Sequence, residues 1–224
     1  RLLFWHNYCP SFLQEFSLSV TILSLKNLSF NRNEKPVFDP IDLEINEGDL
    51  VHIKGANGSG KTTLLRILVG LLQPSSGSIK YQGVDLQACL YDYFSNITYV
   101  GHNSAVKNSL TVFENLCWMS GENKLVDSHI NTLETFGLLN QKDSLCGELS
   151  AGQKRKVALT RILLNDSKIW FLDEPMNALD SQGVSILKKA MEKHKNNQGI
   201  VVFASHQDVM IGDVKTILIR NTIH

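Results

Sequence analysis

The chain has 224 residues and balances 22 Lys and Arg against 22 Asp and Glu, for a formal net charge of zero. That length suits one domain with an ample core, and the lack of a basic stripe removes the electrostatic footprint of a nucleic-acid binder, so DNA and RNA are disfavoured as ligands. Cys9, Cys89, Cys117 and Cys146 show neither a Cys-x-x-Cys pair nor zinc spacing and read as reduced thiols, while the longest apolar run, Phe16 to Leu25, is too short for the ~20 residues that cross a bilayer.

In chain order, residues 1–21 start without Met and sit outside the later pattern. With no small-residue cleavage site after their apolar stretch, they are expected to be read-through of upstream sequence or a frayed extension. From Ile22 the text becomes regular. Ile22 to Phe30 and Ile41 to Ile45 alternate as half-buried strands around an Asn33-Glu34-Lys35-Pro36 loop, an antiparallel start. Leu50 to Lys54 reads as a buried strand and Thr63 to Leu72 as an apolar helix. A turn at Gln73 to Gly77 leads to strands at Ser78 to Gln82 and Asn96 to Gly101. From Thr111 to Leu164 the apolar spacing is helical, through Val112, Leu116, Met119, Leu125, Ile130, Leu133, Phe136, Val157 and Ile162, which predicts a helical subdomain over about 103–164. Parallel-strand character returns at Ile169 to Leu172, Ile200 to Ala204 and Thr216 to Ile219, with a helix from Val184 to Lys195 between. With the text ending at His224, no regulatory domain is expected. The expected fold is α/β, one domain over 22–224.

Between the first buried strand and its helix stands Gly55-Ala56-Asn57-Gly58-Ser59-Gly60-Lys61-Thr62, a complete phosphate-binding loop in its proper context. Its glycines let backbone N–H groups turn toward phosphates, and the following helix offers free N–H groups and a positive dipole end. Lys61 would reach the β- and γ-phosphates of ATP, Thr62 would supply a hydroxyl to Mg²⁺, and Thr63 a weaker phosphate contact. The apolar strand Ile169 to Leu172 ends in Asp173 and Glu174. Asp173 would hold Mg²⁺ directly or through water; Glu174 would orient and deprotonate the attacking water. Ser150 is a natural N-cap, with Gln153 three residues on closing a capping box. Gly152 beside the free N–H groups makes that helix end an anion site, able to meet the γ-phosphate of a nucleotide held by a second copy. His206 follows the strand Ile200 to Ser205 and so stands at the same sheet edge as Glu174.

Leu149-Ser150-Ala151-Gly152-Gln153 between the phosphate loop and Phe171-Leu172-Asp173-Glu174-Pro175, followed by Asn177-Ala178-Leu179-Asp180 and Ser205-His206, resembles the ATP-binding-cassette ATPases over about Ile22 to Asn221. The resemblance implies a P-loop NTPase fold of cassette type, with an antiparallel N-terminal β part, a mixed or parallel sheet core and a helical insertion. It further implies a head-to-tail homodimer with two ATP molecules sandwiched between one copy's phosphate loop and the other's signature helix. On this resemblance Asp180 belongs to the loop that communicates across the dimer, and His206 is the switch at the γ-phosphate. Where these ATPases usually carry Gln, this chain has His102, which can hydrogen-bond a water or approach Mg²⁺. The place of the adenine-stacking aromatic holds Arg32, with Phe30 two residues back on the same strand face, and either could cover the base.

The run Tyr99 to Asn103, then Lys107, Leu110-Thr111, Glu114-Asn115-Leu116, Leu149 to Arg161, Gln182-Gly183-Val184 and Ser205 to Asp208, resembles the ATPase subunits of cytochrome c maturation, the haem-exporter ATP-binding family. That implies integral membrane partner subunits and a place on the cytoplasmic face of the inner cell membrane, or of the mitochondrial inner membrane if organellar. It also implies ATP hydrolysis driving haem delivery or release of a haem-loaded chaperone. No Cys-x-x-Cys-His site occurs in the chain, so it is expected to supply force and not to hold the haem. Two other readings stand beside this one: the same ATPase moving lipid, peptide or drug, and a soluble cassette clamp outside transport.

Overall fold

In the computed structural model of the protein, residues 20–122, 126–209 and 211–220 are described. The expected extension at 1–21 lies outside the described residues except for Val20 and Thr21, as do Cys9, Leu125 and Asn221.

The first elements are β1 (Thr21–Arg32), β2 (Lys35–Asn46), β3 (Leu50–Lys54), α1 (Lys61–Leu68), β4 (Ser76–Tyr81) and β5 (Val84–Asp85). Next come α2 (Leu90–Ser95), β6 (Ile97–Val100), α3 (Val112–Ser120), α4 (Asp127–Phe136), α5 (Ala151–Leu159) and α6 (Arg161–Leu164). The order closes with β7 (Ile169–Asp173), α7 (Ser181–Asn196), β8 (Ile200–Ser205) and β9 (Lys215–Leu218).

Two sheets result. One is antiparallel in the order β2-β1-β4-β5, and the other is parallel in the order β6-β7-β8-β3-β9. The hairpin between β1 and β2 is tighter than the four-residue loop expected: Arg32 pairs Lys35, and Asn33 and Glu34 both take positive φ, 50° and 64°. Positive φ at both turn positions matches the twist of a two-residue hairpin, so Lys35 and Pro36 already belong to the strand. The first helix is shorter than the apolar run Thr63 to Leu72. It stops after Leu68, and the N–H groups of Leu71 and Leu72 both return to the Arg66 carbonyl. The last long helix begins three residues before the expected Val184, because the Asp180 carboxylate caps it by accepting from Gly183 N–H at 2.7 Å. β5 and α2 have no counterpart in the periodicity, being 2 and 6 residues long.

In the parallel sheet, β3, β7 and β8 are apolar almost throughout because both faces are covered. Alternate residues serve different cores. Val51, Ile53, Ile169, Phe171, Ile200, Val202 and Ala204 pack with α1 and the antiparallel sheet. Leu50, Trp170, Leu172, Val201 and Phe203 pack with residues of α3 to α7. Each fully buried Val, Leu, Ile or Phe among them contributes on the order of 1.5–3 kcal/mol relative to exposure. The register then fixes the site: Lys54 lies opposite Ser205 and Asp173 opposite Ala204, so three strands end side by side. The segments that leave them are 55–60, 174–180 and 206–209.

Candidate functional site

α1 has no side-chain cap, and Gly60 before it takes φ 102°, a conformation costly for any residue with a Cβ. A Cβ there would also come within 2.8 Å of Val37. The result is a helix start whose N–H groups face the loop mouth, the arrangement that favours anions. A pocket of about 290 Å³ opens at this point, lined by Arg32, Val37, Asn57, Gly58, Gly60, Lys61, Thr62, Thr63, His102 and Glu174.

Lys61 is buried, and its ammonium donates to the Gly55 and Ala56 carbonyls at 2.9 and 3.0 Å. It also lies 3.5 Å from the Glu174 carboxylate. Thr62 Oγ1 donates to both carboxylate oxygens of Asp173, at 3.1 and 2.9 Å. Asp173 is fully buried; burial pushes its carboxyl above the usual range, while the Thr62 hydrogen bond pulls it back. Glu174 adopts φ 46°, a left-handed conformation uncommon outside glycine, and its backbone N–H donates to the Ala204 carbonyl of β8. This twist sends the Glu174 carboxylate toward His206, whose Nδ1 lies 3.2 Å from Oε2. Direct contacts thus join Thr62 with Asp173, and Lys61 and His206 with Glu174.

Two residues share a strand face but not a surrounding. Arg32 lines the pocket, whereas Phe30 packs against the core under the antiparallel sheet. His102 lines the pocket and also an adjoining groove of about 560 Å³ with Arg66, Leu71, Tyr99 and Arg161. Ser59 Oγ is buried and makes no hydrogen bond among the described residues.

Ser150, Gly152, Gln153 and Asp180 are absent from the lining of this pocket. The capping box has formed, with Gln153 N–H donating to Ser150 Oγ at 3.2 Å and Ser150 N–H donating to Gln153 Oε1 at 2.9 Å. It satisfies one helix N–H and leaves others at that end facing outward. Gly152 has a further reason: a Cβ would stand 2.6 Å from the Ala178 carbonyl oxygen of the chain itself. Asp180 pairs with Lys156 of α5 at 3.1 Å, and the Gly183 N–H, with Lys156 second, holds its carboxyl below the usual range.

Lys156, and Arg155 through the Gly101, Asp173, Glu174 and Pro175 carbonyls to which its guanidinium donates, are part of the arrangement, and sequence reasoning passed over both. Their partners are backbone carbonyls and a distant acid, and a basic pair on a polar helix carries no signal of that. A site of this kind can grip a phosphate chain with loop N–H groups and an ammonium. It can set a cation at Thr62 and Asp173, and it holds an acid where a water could be polarised.

Residues 38–177 match the family described as ABC transporter. A Shewanella oneidensis protein called "Cytochrome c biogenesis ATP-binding export protein CcmA" is 43% identical over 85% of this chain and 89% of its own. A protein of the same name from Mannheimia succiniciproducens is 39% identical over 85% of this chain and 90% of its own. Among solved structures, a Pyrococcus furiosus chain described as an ABC transporter ATP-binding protein superposes with a TM-score of 0.77 at 29% identity, covering 88% of this chain and 96% of that one.

Proposed function

We propose, since this chain belongs to the ABC transporter family of ATP-binding-cassette ATPases, that it is the ATP-hydrolysing subunit of a membrane complex for c-type cytochrome biogenesis, in which hydrolysis drives haem export or delivery. The observation that carries the reading is identity of 39–43% over 85% of the chain to proteins named for cytochrome c biogenesis and export. No described helix is long and apolar enough to cross a membrane. Integral partner subunits would therefore supply the path, with this chain peripheral to them on the cytoplasmic side.

In the proposed cycle the loop 55–60, Lys61 and Thr63 bind the triphosphate, and Arg32 covers the base by cation–π contact. Thr62 and Asp173 are the residues that would hold Mg²⁺. They are hard oxygen donors in mutual contact, and no cluster of three His, Cys, Asp or Glu able to cage a metal occurs among the described residues. That suits a cation that draws most of its ligands from phosphate and water. When bound, Mg²⁺ neutralises charge on the phosphate oxygens.

Glu174 acts as the base: it orients a water and takes its proton as the water attacks the γ-phosphorus. His206, in contact with that carboxylate, holds it in place and reaches for the γ-phosphate. The signature end of α5, at Ser150 and Gly152, closes on the nucleotide of a second copy. Closure and reopening of that homodimer move the membrane subunits.

The test is genetic and biochemical together. Deletion of the gene should abolish c-type cytochromes, the wild type should restore them, and Lys61→Ala, which loses ATP affinity, should not. A deletion strain with normal c-type cytochromes would reject the cargo while leaving the ATPase untouched.

A further inference from the structure

Residues 152, 155 and 156 occupy one face of α5 at spacings of three and four, and all three meet the turn that follows β7. Gly152 allows the close approach to Ala178, and Lys156 reaches Asp180. Between them Arg155, 4% exposed, spends its fork on backbone oxygens. Nη2 donates to the Asp173 carbonyl at 2.7 Å and the Glu174 carbonyl at 3.0 Å, and Nε to the Pro175 carbonyl at 3.4 Å. Nη1 turns the other way, to the Gly101 carbonyl at 2.7 Å, just before His102.

Burial opposes this charge, pulling the guanidinium below its usual range. An apolar side chain would fill the space without that cost, so what the cation supplies is geometry: a planar set of donors that fixes several acceptors at once. Three of the four acceptors are consecutive, and the middle one is Glu174, whose left-handed backbone must be held by its surroundings. The fourth belongs to the segment carrying His102. One side chain of the signature helix therefore fastens the hydrolytic strand end to the loop beside it.

We propose that Arg155 is a positioning residue that locks the signature helix to the two acids of its own subunit, so that a partner's nucleotide meeting Ser150 is felt at Glu174. This rests on the sandwich dimer of the proposed function, and the experiment separates the two. In the full chain, Arg155→Lys keeps the charge but presents one ammonium that cannot span carbonyls on opposite sides. Its kcat should fall roughly 10- to 100-fold, the usual effect of losing a supporting contact behind a reacting group. Binding of Mg²⁺ with a non-hydrolysable ATP analogue should stay within about twofold of wild type. The Hill coefficient for ATP hydrolysis should drop to 1 from a wild-type value above 1.

Arg155→Gln, which can serve only one or two of the carbonyls, should give the same profile. Parallel loss of analogue binding, melting temperature and kcat would make Arg155 a stability residue and overturn the proposal. Wild-type kcat, an unchanged Hill coefficient, or failure of both variants to fold would overturn it too. ATP-dependent dimerisation of Glu174→Gln, followed by sedimentation, reports on the sandwich itself. A monomer there rejects the dimer, and the transmission with it, while dimers with and without Arg155→Lys leave Arg155 to be judged on turnover alone.

Discussion

Glu174 sits 3.2 Å from His206 and 3.5 Å from Lys61, with little exposure to water. If it is the base, Glu174→Gln keeps the shape and removes the proton acceptor. Phosphate release should then fall about 10²- to 10⁴-fold, the span that general-base removal produces. Nucleotide affinity, read with a fluorescent ATP analogue, should be retained; turnover near wild type would reassign the base. The residues that the structure gathers here stand at consecutive positions, Gly55 to Thr62 and Asp173 with Glu174 at a strand end, and so could be read together as one phosphate-binding pattern. Arg155 could not be, since its four acceptors are main-chain oxygens from two segments, and any residue type offers those. Nor could alternation choose between Phe30 and Arg32. The strand leaves the core as it advances, so one face passes from buried Leu28 through half-buried Phe30 to exposed Arg32.

At the scale of elements, α5 illustrates two opposed effects at one glycine. Alanine in place of Gly152 would favour the helix by about 0.5–1 kcal/mol on propensity. Its Cβ, however, would be forced to 2.6 Å from a carbonyl oxygen of the main chain, which has little freedom to yield. Such overpacking costs about 1–3 kcal/mol, so the collision should win. Gly152→Ala is expected to lower the melting temperature by a few degrees, about 2–4 °C per kcal/mol for a chain of this size. A rise in melting temperature would mean that α5 stands off from Ala178 in solution. β3, β7 and β8, though only 5 or 6 residues long, were readable in the sequence as unbroken apolar runs, and α7, with 16 residues, by its helical period. α2 and β5 were not, being shorter than the windows in which periodicity can be recognised. The overreach of the first helix to Leu72 has another cause: Leu71 is apolar yet 66% exposed, so it continues the pattern without belonging to the buried stripe.

Across the whole molecule, stability should respond to mild acid through two buried imidazoles and one half-buried one. Burial lowers the pKa of His52, His129 and His194 in the folded chain. Below about 6.5, the unfolded value, the unfolded chain then binds more protons than the folded one, so stability rises with pH. The contribution is complete above that value and is lost as pH falls through it toward the folded pKa values. Asp173 has the opposite sign. Its raised folded pKa contributes stability that is complete below the unfolded carboxyl value and is lost as pH rises from there through the folded pKa, a window that opens at the usual carboxylate range and extends above it. Thermal unfolding midpoints should therefore fall between about pH 7 and pH 5, and His129→Gln should flatten the fall. A flat wild-type profile over that interval would mean that these rings take up protons without unfolding.

The division of each parallel strand between two cores has one last implication. In β8 the odd and even positions are committed to separate rooms, so the strand works as a ruler with every notch already engaged. Deleting one residue near Ile200 would leave the chain two remedies. It could trade the occupants of both rooms, or keep them and pull the far end back by one notch, about 3.3 Å. The second remedy would withdraw His206 from the carboxylate it touches, so spacing inside a hydrophobic strand sets a distance at the chemical centre.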